Sequence, residues 1–195
     1  MLILSLFLAC LQEPDVQVET EYVTETETEY ITETETEYIT EEACASILGR
    51  IPCDLTLIDE DGNEVSFLDL AGKPMILDLS AMWCGPCQAA GREVQEIQDA
   101  YPELTYLTIL IENIQAEPPT WSDVQVWENE LGIGSAPTLG GSRDVITNNP
   151  IETAGEFYLS GWPTFYFLDH ELRIVGYQRG FDSSTIEGWA ESLTE

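Results

Sequence analysis

Residues 78–87 read Asp-Leu-Ser-Ala-Met-Trp-Cys-Gly-Pro-Cys, and the fold prediction rests mainly on these ten residues. The run at residues 74–80 is mostly apolar and has the length of a strand, which is typical of a central strand buried on both faces. Residues 85–100 then change to a helical period. The two cysteines, Cys84 and Cys87, are therefore predicted to lie where a buried strand is followed by a helix.

This position favours thiol chemistry. A thiol in the first turn of a helix faces unpaired backbone N–H groups and the positive end of the helix dipole, and both favour the thiolate. We expect Cys84 to be exposed and to attack first, and Cys87, one helical turn later, to resolve the mixed disulfide. Gly85 permits the tight turn between them, and Pro86 fits the first helical turn, where its missing N–H is not needed.

A Cys-x-x-Cys pair can also be half of a zinc site or a structural disulfide. The chain has five cysteines and a single histidine, His170, and it has no second Cys-x-x-Cys pair. A four-ligand zinc site needs such a second set of ligands. We therefore expect neither a metal nor another cofactor.

The tryptophan, the two cysteines and the residues between them, at positions 83–87, match the full active-site motif of thioredoxins, and the preceding strand resembles the same unit of that family. The resemblance implies that Trp83, Gly85 and Pro86 contact the substrate and that Asp78 moves the proton of the second cysteine. Desolvation on an apolar strand raises the pKa of a carboxyl, which suits a general base near neutral pH. The alternative for Asp78 is a hydrogen-bonded core acid without a catalytic role.

A second motif, Ser-Gly-Trp-Pro-Thr at residues 160–164, resembles the cis-proline loop of the same family. The resemblance implies a cis bond before Pro163 and substrate contacts from Trp162, Pro163 and Thr164. A cis X–Pro bond leaves the backbone of the preceding residue available to pair with an incoming peptide. The alternative is a trans proline that begins an edge strand.

The predicted elements follow the order strand, helix, strand, helix, strand, strand, helix, which indicates an α/β fold around one mixed sheet. We expect the thioredoxin fold, a central mixed β-sheet flanked by helices, with an extra N-terminal β-hairpin formed by residues 54–59 and 64–67 around a turn at 60–63. A short helix is predicted around residues 151–158. The hairpin, together with an insertion before the cis-proline, resembles the membrane-anchored TlpA/ResA-like redoxins over about residues 50–193.

The chain is predicted to have three parts, at residues 1–10, 11–43 and 44–195. Residues 2–9 are an apolar run too short to span a membrane, and Cys10 follows them. This resembles a bacterial lipoprotein signal, in which the cysteine is lipidated after cleavage. The alternatives are a frayed hydrophobic N-terminus and a misassigned start codon. The third part is predicted to be the thioredoxin-like domain.

An acidic, low-complexity repeat fills residues 19–42, where Tyr22, Tyr30 and Tyr38 recur every eight residues. The whole chain has 37 acidic and 6 basic residues, a net charge of -31. Glutamates without neighbouring bases repel each other, and the few apolar groups cannot offset the ordering entropy. We therefore expect a disordered, solvated stalk over residues 11–43. The acidic field also disfavours nucleic acid as a partner.

Cys44 and Cys53 remain as a pair if Cys10 is lipidated and the Cys-x-x-Cys pair is catalytic. We hypothesise that they form a structural disulfide worth ~2–3 kcal/mol. The alternative is that both are free, buried cysteines.

Together these features predict an exported thiol–disulfide oxidoreductase, lipid-anchored on the periplasmic or outer face of a bacterial membrane. The resemblance implies protein disulfides and dithiols as substrates, the reducing direction because of the Gly85-Pro86 pair, and a membrane electron donor for that direction. Two alternatives stay open: a tethered thioredoxin-fold binding or scaffold protein whose dithiol is structural, and a peroxiredoxin-like peroxidase. The peroxidase is disfavoured because residues 79–83 lack the proline of that family's peroxide-binding stretch.

Overall fold

The computed structural model describes residues 44–149 and 155–195, so the predicted signal and stalk lie outside the described residues. The strands are β1 (Thr56–Ile58), β2 (Glu64–Ser66), β3 (Met75–Ala81), β4 (Thr105–Glu112), β5 (Thr138–Gly140), β6 (Ile146–Thr147), β7 (Phe157–Tyr158), β8 (Thr164–Leu168) and β9 (Ile174–Arg179). The helices are α1 (Gly85–Gly91), α2 (Val94–Ala100), α3 (Trp121–Leu131) and α4 (Ser183–Thr194). Short helical turns also follow β2, at Phe67–Leu70, and precede β6, at Arg143–Val145.

Seven strands form one mixed sheet in the order β2-β1-β5-β4-β3-β8-β9. Strands β3, β4 and β5 run parallel, whereas β8 is antiparallel to β3 and β9 is antiparallel to β8. Every residue of β3 is buried, as the apolar run predicts for a central strand. The predicted hairpin is confirmed, because β1 and β2 pair antiparallel, and β1 joins the main sheet through Ile58 and Gly140.

Alternating side chains of the sheet divide the interior into two cores. One face, which includes Ile76, Tyr106 and Phe165, packs against buried residues from all four helices. The opposite face, which includes Leu77 and Leu107, is covered by residues from the connecting segments and from β7. These two cores confirm the predicted α/β architecture around a central mixed sheet.

The single helical period predicted over residues 85–100 is divided into two helices in the structure. Helix α1 ends at Gly91, where the N–H of Glu93 bonds to the carbonyl of Ala90 in a tighter turn. A Cβ on Gly91 would lie 2.4 Å from the Leu131 side chain and 3.1 Å from that of Trp127. The division is consistent with the low helix propensity of glycine and with the close approach of α3.

Two local features after α3 differ from the sequence pattern. Strand β5 is not predicted from its three residues, and it forms because β4 and β1 pair with it on either side. Residues 151–154 of the helix predicted around 151–158 lie outside the described residues. The prediction is wrong for Phe157–Tyr158, which form β7 and pair with Ile146–Thr147, because burial of Phe157 in the second core favours the extended conformation.

Within residues 44–149 and 155–195, no helix has the length and apolar character needed to cross a membrane.

Candidate active site

Cys84 and Cys87 lie at the start of α1, directly after β3, as predicted. Cys84 is the N-cap residue of α1, and the backbone N–H of Cys87 donates to its Sγ at 3.1 Å. The two sulfur atoms are joined in a disulfide, with the Cα atoms 5.2 Å apart. In the reduced protein the same N–H is positioned to stabilise a thiolate at Cys84.

The prediction that Cys84 is exposed is wrong for this oxidised form. Cys84 is 4% exposed and Cys87 is fully buried. The accessible surface around them comes from Trp83, which is 42% exposed, and from Gly85 and Pro86. Because Cys87 has no accessible surface, Cys84 is the more accessible of the two cysteines.

The second predicted motif lies beside this disulfide. The Trp162–Pro163 peptide bond is cis, and the Trp162 ring packs edge-on against Trp83 with ring centroids 5.7 Å apart. The carbonyl of Pro163 accepts the N–H of Gly180 at 2.8 Å, which joins the loop to the end of β9. The two tryptophans therefore connect the loop to the start of α1.

Thr164 differs from the other residues predicted to contact substrate. Its side chain is fully buried, and its hydroxyl donates to the carbonyl of Gly161 at 2.7 Å. The predicted substrate contact from this side chain is not supported, because the hydroxyl is used to hold the turn. In this loop Trp162 is partly exposed, whereas Pro163 is buried like Thr164, so side-chain contacts would come from Trp162.

Asp78 is fully buried on the sheet face that forms the first core, where Cys87 also lies. Its Oδ1 accepts a hydrogen bond from the Ser80 hydroxyl at 2.7 Å, and its Oδ2 has no hydrogen-bond partner among the described residues. Burial raises the pKa of Asp78 to about 7, and the hydrogen bond from Ser80 opposes this shift. The carboxyl can therefore exist in either protonation state near neutral pH, as a proton-transfer group requires.

Sequence reasoning missed a buried carboxylate beside the dithiol. Glu112, the last residue of β4, is 1% exposed, and its Oε2 accepts the indole N–H of Trp83 at 2.7 Å. Its Oε1 forms an ion pair with Arg143, whose side chain is 61% exposed. These contacts hold the Trp83 ring in place. The position of an acidic residue at the end of an apolar strand could have pointed to Glu112 as a site residue. Nothing in the sequence links Glu112 to Arg143.

Of the remaining predicted residues, Cys44 and Cys53 are joined in a disulfide with their Cα atoms 4.8 Å apart. Cys10 lies outside the described residues. Over the ranges that the structure describes, no group of three or more His, Cys, Asp or Glu side chains could hold a metal ion.

Comparison with models of known protein families matches residues 48–176 to the AhpC/TSA family. The match covers more than half of the chain. The chain belongs to the AhpC/TSA family.

This AhpC/TSA member resembles curated proteins over different lengths. It is 34% identical over 50 residues to thioredoxin H4-2 of Oryza sativa subsp. japonica, a match that covers 26% of this chain and 38% of that protein. It is 21% identical over 148 residues to the thiol-disulfide oxidoreductase ResA of Bacillus anthracis, covering 75% of this chain and 79% of that protein. The chain thus spans little more than a third of the plant thioredoxin and most of ResA.

Among solved structures, the AhpC/TSA member resembles a thiol:disulfide interchange protein of the thioredoxin family from Chlorobium tepidum TLS. The TM-score is 0.59 at 19% identity, with 77% of this chain and 100% of that chain covered. At this identity the likeness establishes the fold, which is the thioredoxin fold.

Proposed function

We propose that the protein is a thiol–disulfide oxidoreductase that exchanges the Cys84–Cys87 disulfide with disulfides and dithiols of protein substrates. The observation that carries this proposal is the disulfide whose sulfur caps α1, with Asp78 buried in the same core at a pKa of about 7. Disulfide exchange proceeds through a thiolate, and these two features favour it, one by stabilising the Cys84 thiolate and the other by taking up the proton of the Cys87 thiol.

In the reducing direction, the Cys84 thiolate attacks one sulfur of a substrate disulfide. The substrate S–S bond breaks, a mixed disulfide forms at Cys84, and the other substrate sulfur leaves as a thiolate. The Asp78 carboxylate takes the proton of the Cys87 thiol, and the resulting thiolate attacks Cys84. The second substrate thiolate then leaves, two electrons have passed to the substrate, and a dithiol donor must reduce the Cys84–Cys87 disulfide again.

The surface around Cys84 is suited to a polypeptide substrate. Trp83, Gly85 and Pro86 offer exposed surface on one side, and Trp162 and Pro163 lie on the other. We propose that an extended segment of the substrate lies between them and pairs with the backbone of the cis-proline loop. Glu112 supports this surface because it fixes the orientation of the Trp83 indole.

We further propose that the protein acts outside the cytoplasm in the reducing direction, with a membrane electron donor. Export is supported by the Cys44–Cys53 disulfide, since such bonds persist mainly in oxidising compartments. The apolar run before Cys10 supports a lipid anchor at that cysteine, followed by an acidic stalk at residues 11–43 and the redox domain at 44–195. The Gly85-Pro86 pair supports reduction by its resemblance to thioredoxins.

Reduction of insulin disulfides by the full chain, with dithiothreitol as donor, tests the activity. We expect turnover by the wild type and its loss in Cys84→Ser, while the double variant Cys44→Ser and Cys53→Ser keeps the wild-type rate. Unchanged turnover in Cys84→Ser, or none in the wild type, would reject the proposal and favour the scaffold alternative. Consumption of hydrogen peroxide without reduction of insulin would instead favour the peroxidase.

A further inference from the structure

The guanidinium of Arg179 lies against the cis-proline loop. Arg179 is the last residue of β9, and the next residue, Gly180, donates its N–H to the carbonyl of Pro163 at 2.8 Å. A Cβ on Gly161 would lie 2.5 Å from Arg179 Nε and 3.0 Å from its Cζ. The guanidinium therefore occupies the space that a side chain at Gly161 would fill, two residues before the cis-proline.

The charge of Arg179 has no partner within the described residues. Its side chain is exposed, and its guanidinium makes neither a hydrogen bond nor an ion pair there. This is notable because the chain has 37 acidic residues and only 6 basic ones. Other basic side chains bond to backbone carbonyls or to a carboxylate of the protein, at Lys73, Arg92, Arg143 and Arg173. The positive charge of Arg179 is thus available to another molecule.

The neighbours of Arg179 do not supply a carboxylate. The nearest acidic residue in the chain, Asp182, is the N-cap of α4, and its carboxylate accepts the hydroxyl and the backbone N–H of Thr185 at 2.7 and 2.9 Å. In the sheet, Arg179 is paired with Thr164, which is buried, and β9 is the last strand of the sheet. Both neighbouring elements therefore leave the guanidinium open on the side of the loop.

This position fits a carboxylate of the substrate. The proposed function places an extended substrate segment along the backbone of the cis-proline loop. Residues of an extended chain advance by ~3.3 Å each, so a residue close to the substrate cysteine comes within reach of the guanidinium over Gly161. The planar N–H groups of a guanidinium match the two oxygens of a carboxylate and can donate to both.

We propose that Arg179 is a specificity residue that binds a carboxylate of the substrate segment, an inference that rests on the proposed function. The protein then acts preferentially on disulfides whose cysteine has an acidic residue beside it. Gly161 contributes by leaving the space in which the guanidinium lies. The acidic field of the whole chain alone predicts the opposite preference, for basic segments, so experiment can separate the two.

The test uses three peptides that differ only in the residues on either side of their single cysteine, which are Glu, Gln or Lys. Each cysteine forms a disulfide with an uncharged thiopyridyl group, whose release reports attack by the reduced full chain after removal of reductant. Each rate is divided by that of the same peptide with dithiothreitol, which corrects for the effect of the flanking charges on the disulfide itself. We expect the wild type to react fastest with the Glu peptide.

Four variants assign this preference. Arg179→Gln should lower the rate with the Glu peptide by about threefold and leave the Gln peptide unchanged. Arg179→Glu should make the Lys peptide the fastest. Gly161→Ala should weaken the preference for Glu, because its Cβ displaces the guanidinium while the charge remains. Arg173→Gln, the matched control, makes the same change of charge just before the other end of β9 and should keep the wild-type order of rates.

Equal corrected rates with the three peptides, or a preference that Arg179→Gln and Arg173→Gln change alike, would overturn the role of Arg179 while the proposed function stands. If the wild type reacts with none of the peptides, the proposed function fails. Binding to the oxidised protein of the same peptides with serine in place of cysteine, followed by tryptophan fluorescence, then still decides the role of Arg179. We expect the Glu peptide to bind about threefold more tightly to the wild type than to Arg179→Gln, and equal affinities would overturn the inference.

Discussion

At the scale of single residues, the carboxyl of Asp78 sets the pH range of the proposed chemistry. Burial raises its pKa to about 7, so below that pH the carboxyl is protonated and cannot accept the proton of Cys87. We expect kcat/KM for insulin reduction to rise with pH through about 7 and this rise to be lost in Asp78→Asn, with a rate about 10²-fold lower at high pH. Steady-state rates from about pH 5 to about pH 9 measure this.

Ser80→Ala is the matched control for the pH profile, because the Ser80 hydroxyl lowers the pKa of Asp78. This variant should keep the rise in rate and move it to higher pH. A profile of Asp78→Asn that coincides with the wild type would contradict the role of Asp78 as the proton acceptor.

The raised pKa of Asp78 also has a consequence for stability. The carboxyl has the ordinary aspartate pKa of 3.8 in the unfolded chain and a pKa of about 7 in the folded protein. As the pH rises between these values, the unfolded state loses its proton first, so the free energy of unfolding of the wild type falls progressively. Above about pH 7 both states are ionised, and this contribution no longer changes. We expect Asp78→Asn to gain up to roughly 4 kcal/mol in the free energy of unfolding between pH 4 and pH 8 relative to the wild type. Urea unfolding of the oxidised protein at both pH values measures this, and a difference independent of pH would contradict it.

At the scale of elements, the close contact of α1 with α3 at Gly91 can be tested directly. A Cβ on Gly91 would meet Leu131 and Trp127 at distances that force side chains to move. We expect Gly91→Ala to lower the free energy of unfolding by about 1–2 kcal/mol. Gly188→Ala, within α4 and with open space around its Cβ, should instead stabilise by about 0.5–1 kcal/mol. Thermal unfolding of both variants measures the two changes in stability. Equal changes in the two variants would contradict a close contact between α1 and α3 at Gly91.

The elements differ in how well local sequence predicts them, for physical reasons. Strand β3 is mostly apolar and is buried throughout, so its own composition predicts it. Strand β5 has only three residues, and it exists because strands from distant parts of the chain pair with both its sides. The division after α1 depends partly on the low helix propensity of Gly91, which is local, and partly on the approach of α3, which no local pattern contains.

The same distinction holds within the candidate site. The dithiol, Asp78 and the cis-proline follow from contiguous motifs, and their positions are as predicted. The contact from Glu112 to Trp83 joins residues far apart in sequence, so it emerges only in the fold. The burial of Cys84 likewise depends on how the chain packs around α1, and its motif alone predicted exposure.

At the scale of the whole molecule, the Cys44–Cys53 disulfide bears on where the protein works. We expect mass measurement after alkylation without reductant to find both cysteines unlabelled, and the double serine variant to lose about 2–3 kcal/mol of stability. Two labelled thiols at these positions would contradict the bond and remove one support for export. The Cys84–Cys87 pair should react in the double serine variant as it does in the wild type, since these two cysteines form their own disulfide.

In the proposed reaction, Cys84 attacks a substrate disulfide and Cys87 resolves the mixed disulfide. The most direct measurement of this reaction is mass spectrometry of reduced Cys87→Ser after incubation with insulin, beside the double variant Cys84→Ser and Cys87→Ser. We expect a covalent insulin adduct at Cys84 in the single variant and no adduct in the double variant. Absence of the adduct in Cys87→Ser would contradict the proposed attack by Cys84.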